Sequence, residues 1–402
     1  MNVVIIDGDV SYPPTSGKRL RTLNLMIKLA DRHNIVYLAR ADVNLRESKQ
    51  VVEYFEDNGI HTILVHDPLA RKSGPQFYAR LAANLASPLP YSVATHQSRR
   101  MKAAVERHAA REKVDLWQCE ASAYLSTLRR QPHARKLLVA HNVDSLIWQR
   151  YHEVERHPAR KWYIGHQWRK FLRFERNAFR EATYVVAVSE EDASLMKTQF
   201  GVKNVAIVDN GVDRDFFCQS NGVRKPNQIL FLGALDWRPN QDAIQFFLDD
   251  AFPLIRQREP NAHLLIIGRN PPSWMFDIVK RTENVDLRAD VPDVRPFLAE
   301  SSVMIVPLRI GGGSRLKILE SLAAGLPVVS TRIGAEGLCL HPGKHWVEGN
   351  SATELADATL DCLARPEWAN ELAAAGRDVV EHQYDWNSLA DKLEKAWQKC
   401  VA

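Results

Sequence analysis

Residues 311–317 read Gly-Gly-Gly-Ser-Arg-Leu-Lys. They stand between the apolar run VMIVP (303–307) and a helical stretch with a single acid, Glu320. A helix N-terminus carries unpaired N–H groups and a partial positive charge. Glycines ahead of it let the backbone approach a ligand without side-chain collision. Two cations in a first helical turn are unfavourable unless an anion sits there. With a helix starting near Ser314, the pattern predicts a phosphate site built from Gly312, Gly313, Ser314, Arg315 and Lys317, with Glu320 placed to accept hydrogen bonds from sugar hydroxyls. The same residues also fit a plain glycine-rich strand–helix turn with solvated cations.

Other residues of interest stand at predicted strand ends. Lys18 and Arg19 open a helix in YPPTSGKRLRT (12–22), which repeats the anion argument or presents a solvated helix start. His141 ends KLLVAH (136–141), where a side chain points into the ligand crevice of a parallel sheet; it also fits a structural role, capping the next segment through Asn142 or Asp144. Glu120 ends VDLWQCE and is a candidate acceptor ligand. Gly268 closes HLLIIG, as a crevice residue or as an ordinary turn glycine.

These positions need a scaffold, and the chain alternates short β-branched runs with helix-period segments. The first half has NVVIID (2–7), NIVYLA (34–39), HTILVH (61–66), VDLWQC (114–119), KLLVAH and TYVVAVS (183–189), with helical patterns over 18–32, 43–58, 95–111 and 158–181. The second half has VAIVD (205–209), QILFLG (228–233), HLLIIG (263–268), VDLRA (285–289), VMIVP and PVVST (327–331). Near-continuous apolar strands alternating with helices predict parallel sheets covered on both faces. The Gly-, Asn- and charge-rich stretch 210–228 reads as a linker. The predicted organisation is an α/β protein of two Rossmann-like doubly wound domains facing a central cleft: residues 1–210, a linker at 211–227, residues 228–382, and a C-terminal helix within 383–402 packing back on the first domain.

With 402 residues, 45% hydrophobic and 25% charged, the composition is that of a globular chain. Five scattered cysteines without a C-x-x-C pattern argue against a disulfide framework or a zinc site and fit a reducing cytoplasm. The N-terminus reads as neither a signal nor a transit peptide. No apolar run reaches the ~18 residues of a membrane-spanning helix. The net charge of +5 is uneven: residues 1–200 hold 31 Lys/Arg against 21 Asp/Glu, and residues 201–402 hold 22 against 27. In 160–182, Ile164, Trp168, Phe171, Leu172, Ala178 and Phe179 share one helical face. Arg169, Lys170, Arg173, Arg176 and Arg180 share the other. Such a helix packs on a core with a solvated basic face, or lies on an anionic membrane surface. Cytoplasmic localisation follows, with peripheral contact at the inner face of a membrane as a candidate. No RNP, KH or helix-turn-helix signature supports nucleic-acid binding.

Several motifs in order resemble the retaining glycosyltransferases of family GT4, which have the GT-B fold. LESLAAGLPVVST (319–331) is similar to the family's Glu-Ala-Met-Ala-x-Gly-x-Pro-Val-Val. NGVDRDFF (210–217) matches its linker motif, FLG (231–233) its Phe-x-Gly strand, and YDWNSLADKLEKAW (384–397) its final helix. The resemblance implies a nucleotide-diphosphate sugar as co-substrate, no cofactor, no required metal, and a glycan or lipid-linked acceptor. It implies that Glu320 contacts the ribose, that Asp290 and Val291 lie by the base, that Gly17 and Gly233 line the donor phosphate, and that His141 touches the donor sugar. Lys18, Arg19 and Glu120, from their places at a helix start and a strand end, are the candidates for the acceptor side. Catalysis would rest on His141, Arg315 and Lys317, with attack on the face that the diphosphate leaves. The chain departs from the family twice. Gly312 stands where many members have the first Glu of Glu-x7-Glu, and Ala234 and Asn240 stand near the positions of an expected Arg and Lys. Arg315 and Lys317 are the expected replacements for those cations, with Arg238 a weaker one. A GT-B chain that has lost catalysis and serves as a partner subunit, and a sugar-nucleotide epimerase or phosphorylase, are the alternatives.

Overall fold

The computed structural model describes residues 1–42, 45–218 and 222–402. The start of the helix expected at 43–58, the side chain of Cys218 and linker residues 219–221 lie outside the described residues. The chain divides into two compact units, Met1–Asp209 with Trp386–Ala402, and Asn210–Asp385.

The first unit is built on seven parallel strands: β1 (Asn2–Asp7), β2 (Asn34–Ala41), β3 (Ile60–His66), β4 (Leu116–Cys119), β5 (Lys136–Ala140), β6 (Tyr184–Ala187) and β7 (Val205–Ile207), in the order 3-2-1-4-5-6-7. Strand β1 shows why both sheet faces are covered. Val3 and Ile5 join a core with Tyr37, Leu389, Leu393 and Trp397, while Val4 and Ile6 join one with Trp117, Phe171 and Phe179. Alternate side chains of a strand point to opposite faces, so two apolar sets require two helical layers. VAIVD, read among the second-half strands but inside the expected 1–210 domain, supplies β7, which pairs with β6 through Val185↔Val205. The helix expected at 95–111 is two helices, Tyr91–His96 and Arg99–Ala109. Ser98 caps the second by accepting from the Met101 amide at 2.9 Å, and its extended backbone breaks the run.

The second unit has six parallel strands: β8 (Gln228–Leu232), β9 (His263–Gly268), β10 (Val285–Ala289), β11 (Val303–Val306), β12 (Val328–Ser330) and β13 (Val347–Glu348), in the order 10-9-8-11-12-13. In both sheets the order of strand addition therefore reverses at one place, between β1 and β4 and between β8 and β11. Open α/β sheets bind ligands beyond the carboxyl ends of the strands that flank such a switch point.

The helix Pro158–Glu181 has its expected bounds, but one residue of its basic face is misplaced. Lys170 is buried, and its ammonium donates to the Asn84 carbonyl at 2.5 Å. Arg169, Arg173, Arg176 and Arg180 are exposed. The wheel put Lys170 among the arginines because it carried no knowledge of the helix Pro75–Leu85 beside it.

Candidate active site

In the second unit, strand ends and one loop converge on Lys317. Strand β8 ends beside Gly233 and β9 ends in Gly268. A methyl group on Gly268 would overlap the Gly233 carbonyl oxygen, so the two strand ends touch backbone to backbone. A methyl group on Gly233 would lie 2.7 Å from both the Lys317 Nζ and the Asn240 Nδ2. Glycine at 233 thus leaves the space that the lysine head occupies. The ammonium donates to Asn240 Oδ1 at 3.0 Å and stands 4.6 Å from the Phe231 ring centroid. Asn240 is buried, and its Nδ2 donates to the Ala234 carbonyl at 2.8 Å, which fixes its oxygen toward the lysine. Burial and the neighbouring Arg315 charge push the Lys317 pKa down to about 7, against the pull of Glu320. Burial pushes the Glu320 carboxyl up to about 7, opposed by Lys317.

The loop after β11 is fastened at both ends. Arg309 forks onto Asp242 at 3.1 and 2.7 Å and lies over Phe246, and Ser314 Oγ accepts from Asn210 Nδ2 at 2.8 Å. Gly313 has φ +68°, the left-handed region that glycine enters without strain. Two expectations need correction here. The helix spans Leu316–Ala323, so Ser314 lies ahead of it and Arg315 is its N-cap residue. The Arg315 guanidinium is buried and turned back onto its own loop, donating to the carbonyls of Gly312 and of Gly313, the latter at 2.6 Å. A methyl group on Gly311 would overlap it. Here Arg315 satisfies loop carbonyls and holds the glycine turn in shape; Lys317 is the cation at the strand ends.

Asp290 and Val291 follow β10. Asp290 has φ +52°, its amide donates to the Gly268 carbonyl at 3.0 Å, and its carboxylate accepts from the Asn270 amide at 3.1 Å. Its side chain closes a turn between two strand ends, while Val291 is half-buried.

In the first unit, Lys18 forms an ion pair with Asp7, and Arg19 grips Asp9 through two contacts of 2.7 Å. In this loop the counter-charges are carboxylates of the chain. Asp7 also accepts from Ser11 Oγ at 3.1 Å and from Tyr37 OH at 3.0 Å, which fixes the loop after β1. Gly17 is the first residue of the helix Gly17–Ala30, capped by Ser16.

Glu120 follows β4 and His141 follows β5. Glu120 is buried and accepts from His141 Nε2 at 2.9 Å, Thr22 Oγ1 at 2.9 Å and Gln118 Nε2 at 2.5 Å. Both oxygens are engaged inside the unit. Burial alone would raise the Glu120 pKa, but the hydrogen bond and charge of His141, with Lys18 and Gln118, hold it below the usual carboxylate range. Burial pushes His141 down, against the pull of Glu120. An ionised carboxylate only accepts, so the neutral imidazole carries its proton on Nε2 and its lone pair on Nδ1. Capping of the following helix, Asp144–Val154, falls to Glu175, which accepts from the Asp144 and Ser145 amides at 2.7 and 3.1 Å.

Sequence reasoning missed Gln118, Thr22 and Glu175, and treated Asn240 only as a departure. A signal existed for Gln118, a polar residue inside an apolar strand two positions before Glu120 and so on the same face. Nothing local marks Glu175, whose partners are more than 29 residues away.

One consequence is testable directly. Gly268→Ala drives a methyl group into the backbone of the neighbouring strand end, which no rotamer change relieves. It is expected to cost about 1–3 kcal/mol of stability, read as a lower urea midpoint at unchanged slope.

The two sheets, each with a single switch point, define the two-domain GT-B architecture. The chain matches sucrose-phosphate synthase from Thermosynechococcus elongatus over 99% of both chains (TM-score 0.72, 17% identity), and HepE from Anabaena in complex with UDP and glucose over 98% of this chain and 99% of that one (TM-score 0.69, 13% identity). Residues 46–216 match the model of Glycosyltransferase Family 4, and residues 226–365 match that of Glycosyl transferases group 1. The chain belongs to this family of glycosyltransferases. Among characterised relatives, it is 27% identical over 237 residues to a GDP-mannose-dependent alpha-(1-6)-phosphatidylinositol monomannoside mannosyltransferase of Mycobacterium tuberculosis; the match covers 52% of this chain and 60% of that protein. It is 25% identical to the glycogen synthase of the same organism, over 64% of this chain and 66% of that one. The chain thus spans about three-fifths to two-thirds of the length of these relatives.

Proposed function

We propose that this chain is a retaining glycosyltransferase that moves a hexosyl group from a nucleotide-diphosphate sugar to a glycan or lipid-linked acceptor, without a required metal. The observation that carries the reading is Lys317: a lysine head lodged against Gly233 at the switch point of the second unit, beside a glycine turn and a helix N-terminus. As the bond between sugar and diphosphate breaks, negative charge gathers on the diphosphate. Lys317 and the amides at the start of the helix Leu316–Ala323 stabilise that charge, already oriented before reaction. Arg315 keeps the glycine turn in shape. Glu320 takes the ribose, Gly233, Gly268, Gly312, Gly313 and Ser314 line the diphosphate path, and Asp290 and Val291 lie by the base. In the first unit, His141 contacts the transferred sugar through its Nδ1 edge, and Gly17, Lys18 and Arg19 shape the loop after β1. Family membership supports retention of configuration. The test is turnover: the protein incubated with UDP-, GDP-, ADP- and TDP-hexoses and lipid-extract or oligosaccharide acceptors should release one nucleoside diphosphate. Tight binding of a donor without release, whatever acceptor is added, would favour a non-catalytic partner subunit, the reading that Gly312 in place of an acid favours.

Donor binding by this site takes up a proton. Lys317, held near 7 without ligand, is charged beside a diphosphate, so its pKa rises on binding. Affinity is then greatest below pH ~7 and falls by up to tenfold per pH unit as pH climbs from the free toward the bound pKa. Calorimetry of the preferred sugar nucleotide at pH 7.5, in buffers of different ionisation enthalpy, should show about half a proton or more taken up per donor. Zero uptake would count against Lys317 as the diphosphate ligand.

A lipid-linked acceptor is favoured by one surface of the first unit. Trp162 is 59% exposed and stacks on His166, whose ring contacts the Leu85 carbonyl at 3.2 Å; Tyr78 on the helix of Leu85 is 68% exposed. Exposed arginines of the helix Pro158–Glu181 supply positive charge, and among the described residues no helix is long and apolar enough to cross a membrane. Together these features fit contact at the inner face of an anionic membrane. Flotation with phosphatidylglycerol-containing vesicles should exceed that with phosphatidylcholine alone and fall several-fold in Trp162→Glu; equal flotation with both lipids would refute the contact.

A further inference from the structure

The last helix of the chain, Trp386–Val401, belongs to the first unit. It is tied down by Arg32 to Asp391 and Glu394 at 2.8 and 2.7 Å, and by Lys392 to Asp209 at 3.0 Å. Trp397 on this helix is fully buried, and its indole Nε1–H donates to Gln118 Oε1 at 2.6 Å, across 279 positions of sequence. An indole N–H only donates, and a carboxylate only accepts. The Gln118 amide therefore has one satisfactory orientation, oxygen to Trp397 and nitrogen to Glu120 Oε1 at 2.5 Å. A flipped amide would set donor against donor and acceptor against acceptor. Glu120 Oε2 is left for Thr22 and His141. Trp397, Gln118, Thr22 and Glu120 are each no more than 3% exposed, so the chain of bonds runs through a low-dielectric interior where each is strengthened.

We propose that the C-terminal helix fixes the tautomer and ring orientation of His141 through the buried chain Trp397–Gln118–Glu120, which makes Trp397 and Gln118 positioning residues for the reaction. The proposal rests on the role assigned to His141 above. It gives the last helix a function beyond burying apolar surface: the donor–acceptor order is read from Trp397 inward, one bond at a time, and ends at the imidazole.

The test compares Trp397→Phe, which keeps an aromatic ring and removes the N–H, with Trp386→Phe on the same helix. Trp386 is also buried, and its Nε1 has no hydrogen-bond partner among the described residues, so its replacement changes packing only. Nitrogen-15 spectra of histidine-labelled protein read the His141 tautomer and titration midpoint without any substrate. Trp397→Phe should shift the His141 ring-nitrogen signals and move the midpoint upward, because a Glu120 carboxylate whose Gln118 donor is no longer held in place pulls harder on the Nε2 proton. It should lower kcat several-fold with donor KM unchanged. Trp386→Phe should leave the His141 signals and kcat in place. An unchanged His141 spectrum in folded Trp397→Phe overturns the proposal. If that variant does not fold, Gln118→Met breaks the same chain one bond further in, and an unchanged His141 there overturns it equally. A shifted His141 spectrum with unchanged turnover supports the chain of bonds and tells against His141 in transfer, which separates the two failures.

Discussion

Replacing Lys317 with Met is expected to slow transfer by about 10²–10³-fold while leaving the melting temperature unchanged or higher. The two effects have one cause. Met fills nearly the volume of the lysine stem in the slot floored by Gly233 and Phe231, but brings no charge. The native ammonium is desolvated among Asn240, Phe231 and the Arg315 charge, and its pKa near 7 shows that the fold works against ionising it. A folded state that must bury a cation loses little when that cation is removed. A departing diphosphate loses the charge that was oriented toward it. A lysine that merely filled space would show the reverse pattern, with turnover kept in the Met variant. Matched kcat and thermal-unfolding measurements on the two proteins distinguish these outcomes.

Glu120→Gln is expected to lower turnover by about 10²–10⁴-fold with little change in donor affinity. The substitution keeps the shape of the side chain but turns one of two acceptors into a donor. Gln118 Nε2–H already faces Oε1, so the new amide must put its oxygen there and its NH₂ toward Thr22 and His141. His141 Nε2 is then forced to accept, and the ring proton moves to Nδ1. The imidazole edge that offered a lone pair now offers an N–H. The proposed function assigns the diphosphate and base to the second unit, so donor affinity is expected to stay within about threefold. Turnover assays combined with nitrogen-15 spectra check both halves: an Nδ1–H tautomer with unimpaired turnover would remove His141 from the chemistry.

The doubly wound architecture was legible because parallel strands covered on both faces must be continuously apolar, as in VVII (3–6) and LLII (264–267). The same alternation located Gly233, Gly268, Glu120 and His141 at strand ends. The direction of side chains was less legible. Lys18, Arg19 and Arg315 read locally as cations seeking an external anion, yet Asp7, Asp9 and two loop carbonyls of this chain already engage them. A linear sequence shows that charges are near a turn; it does not show which of them the turn itself consumes. Lys317 differs because its contacts are a glycine, an amide oxygen and a ring; Glu320 pulls on its charge, but no carboxylate among the described residues forms an ion pair with it. Trp397 and Gln118 were beyond reach for another reason. Their bond joins residues 279 apart, and each reads locally as an ordinary buried residue.

The most direct test of the account is a calorimetric titration of the protein and of Lys317→Met with UDP-, GDP-, ADP- and TDP-sugars near pH 6.5, where the lysine is mostly charged. The account predicts that one nucleotide class binds the native protein, and that its affinity falls at least tenfold in a Lys317→Met variant of unchanged melting temperature. Equal affinity of the two proteins for the same donor, or no binding of any donor by the native protein, would contradict it.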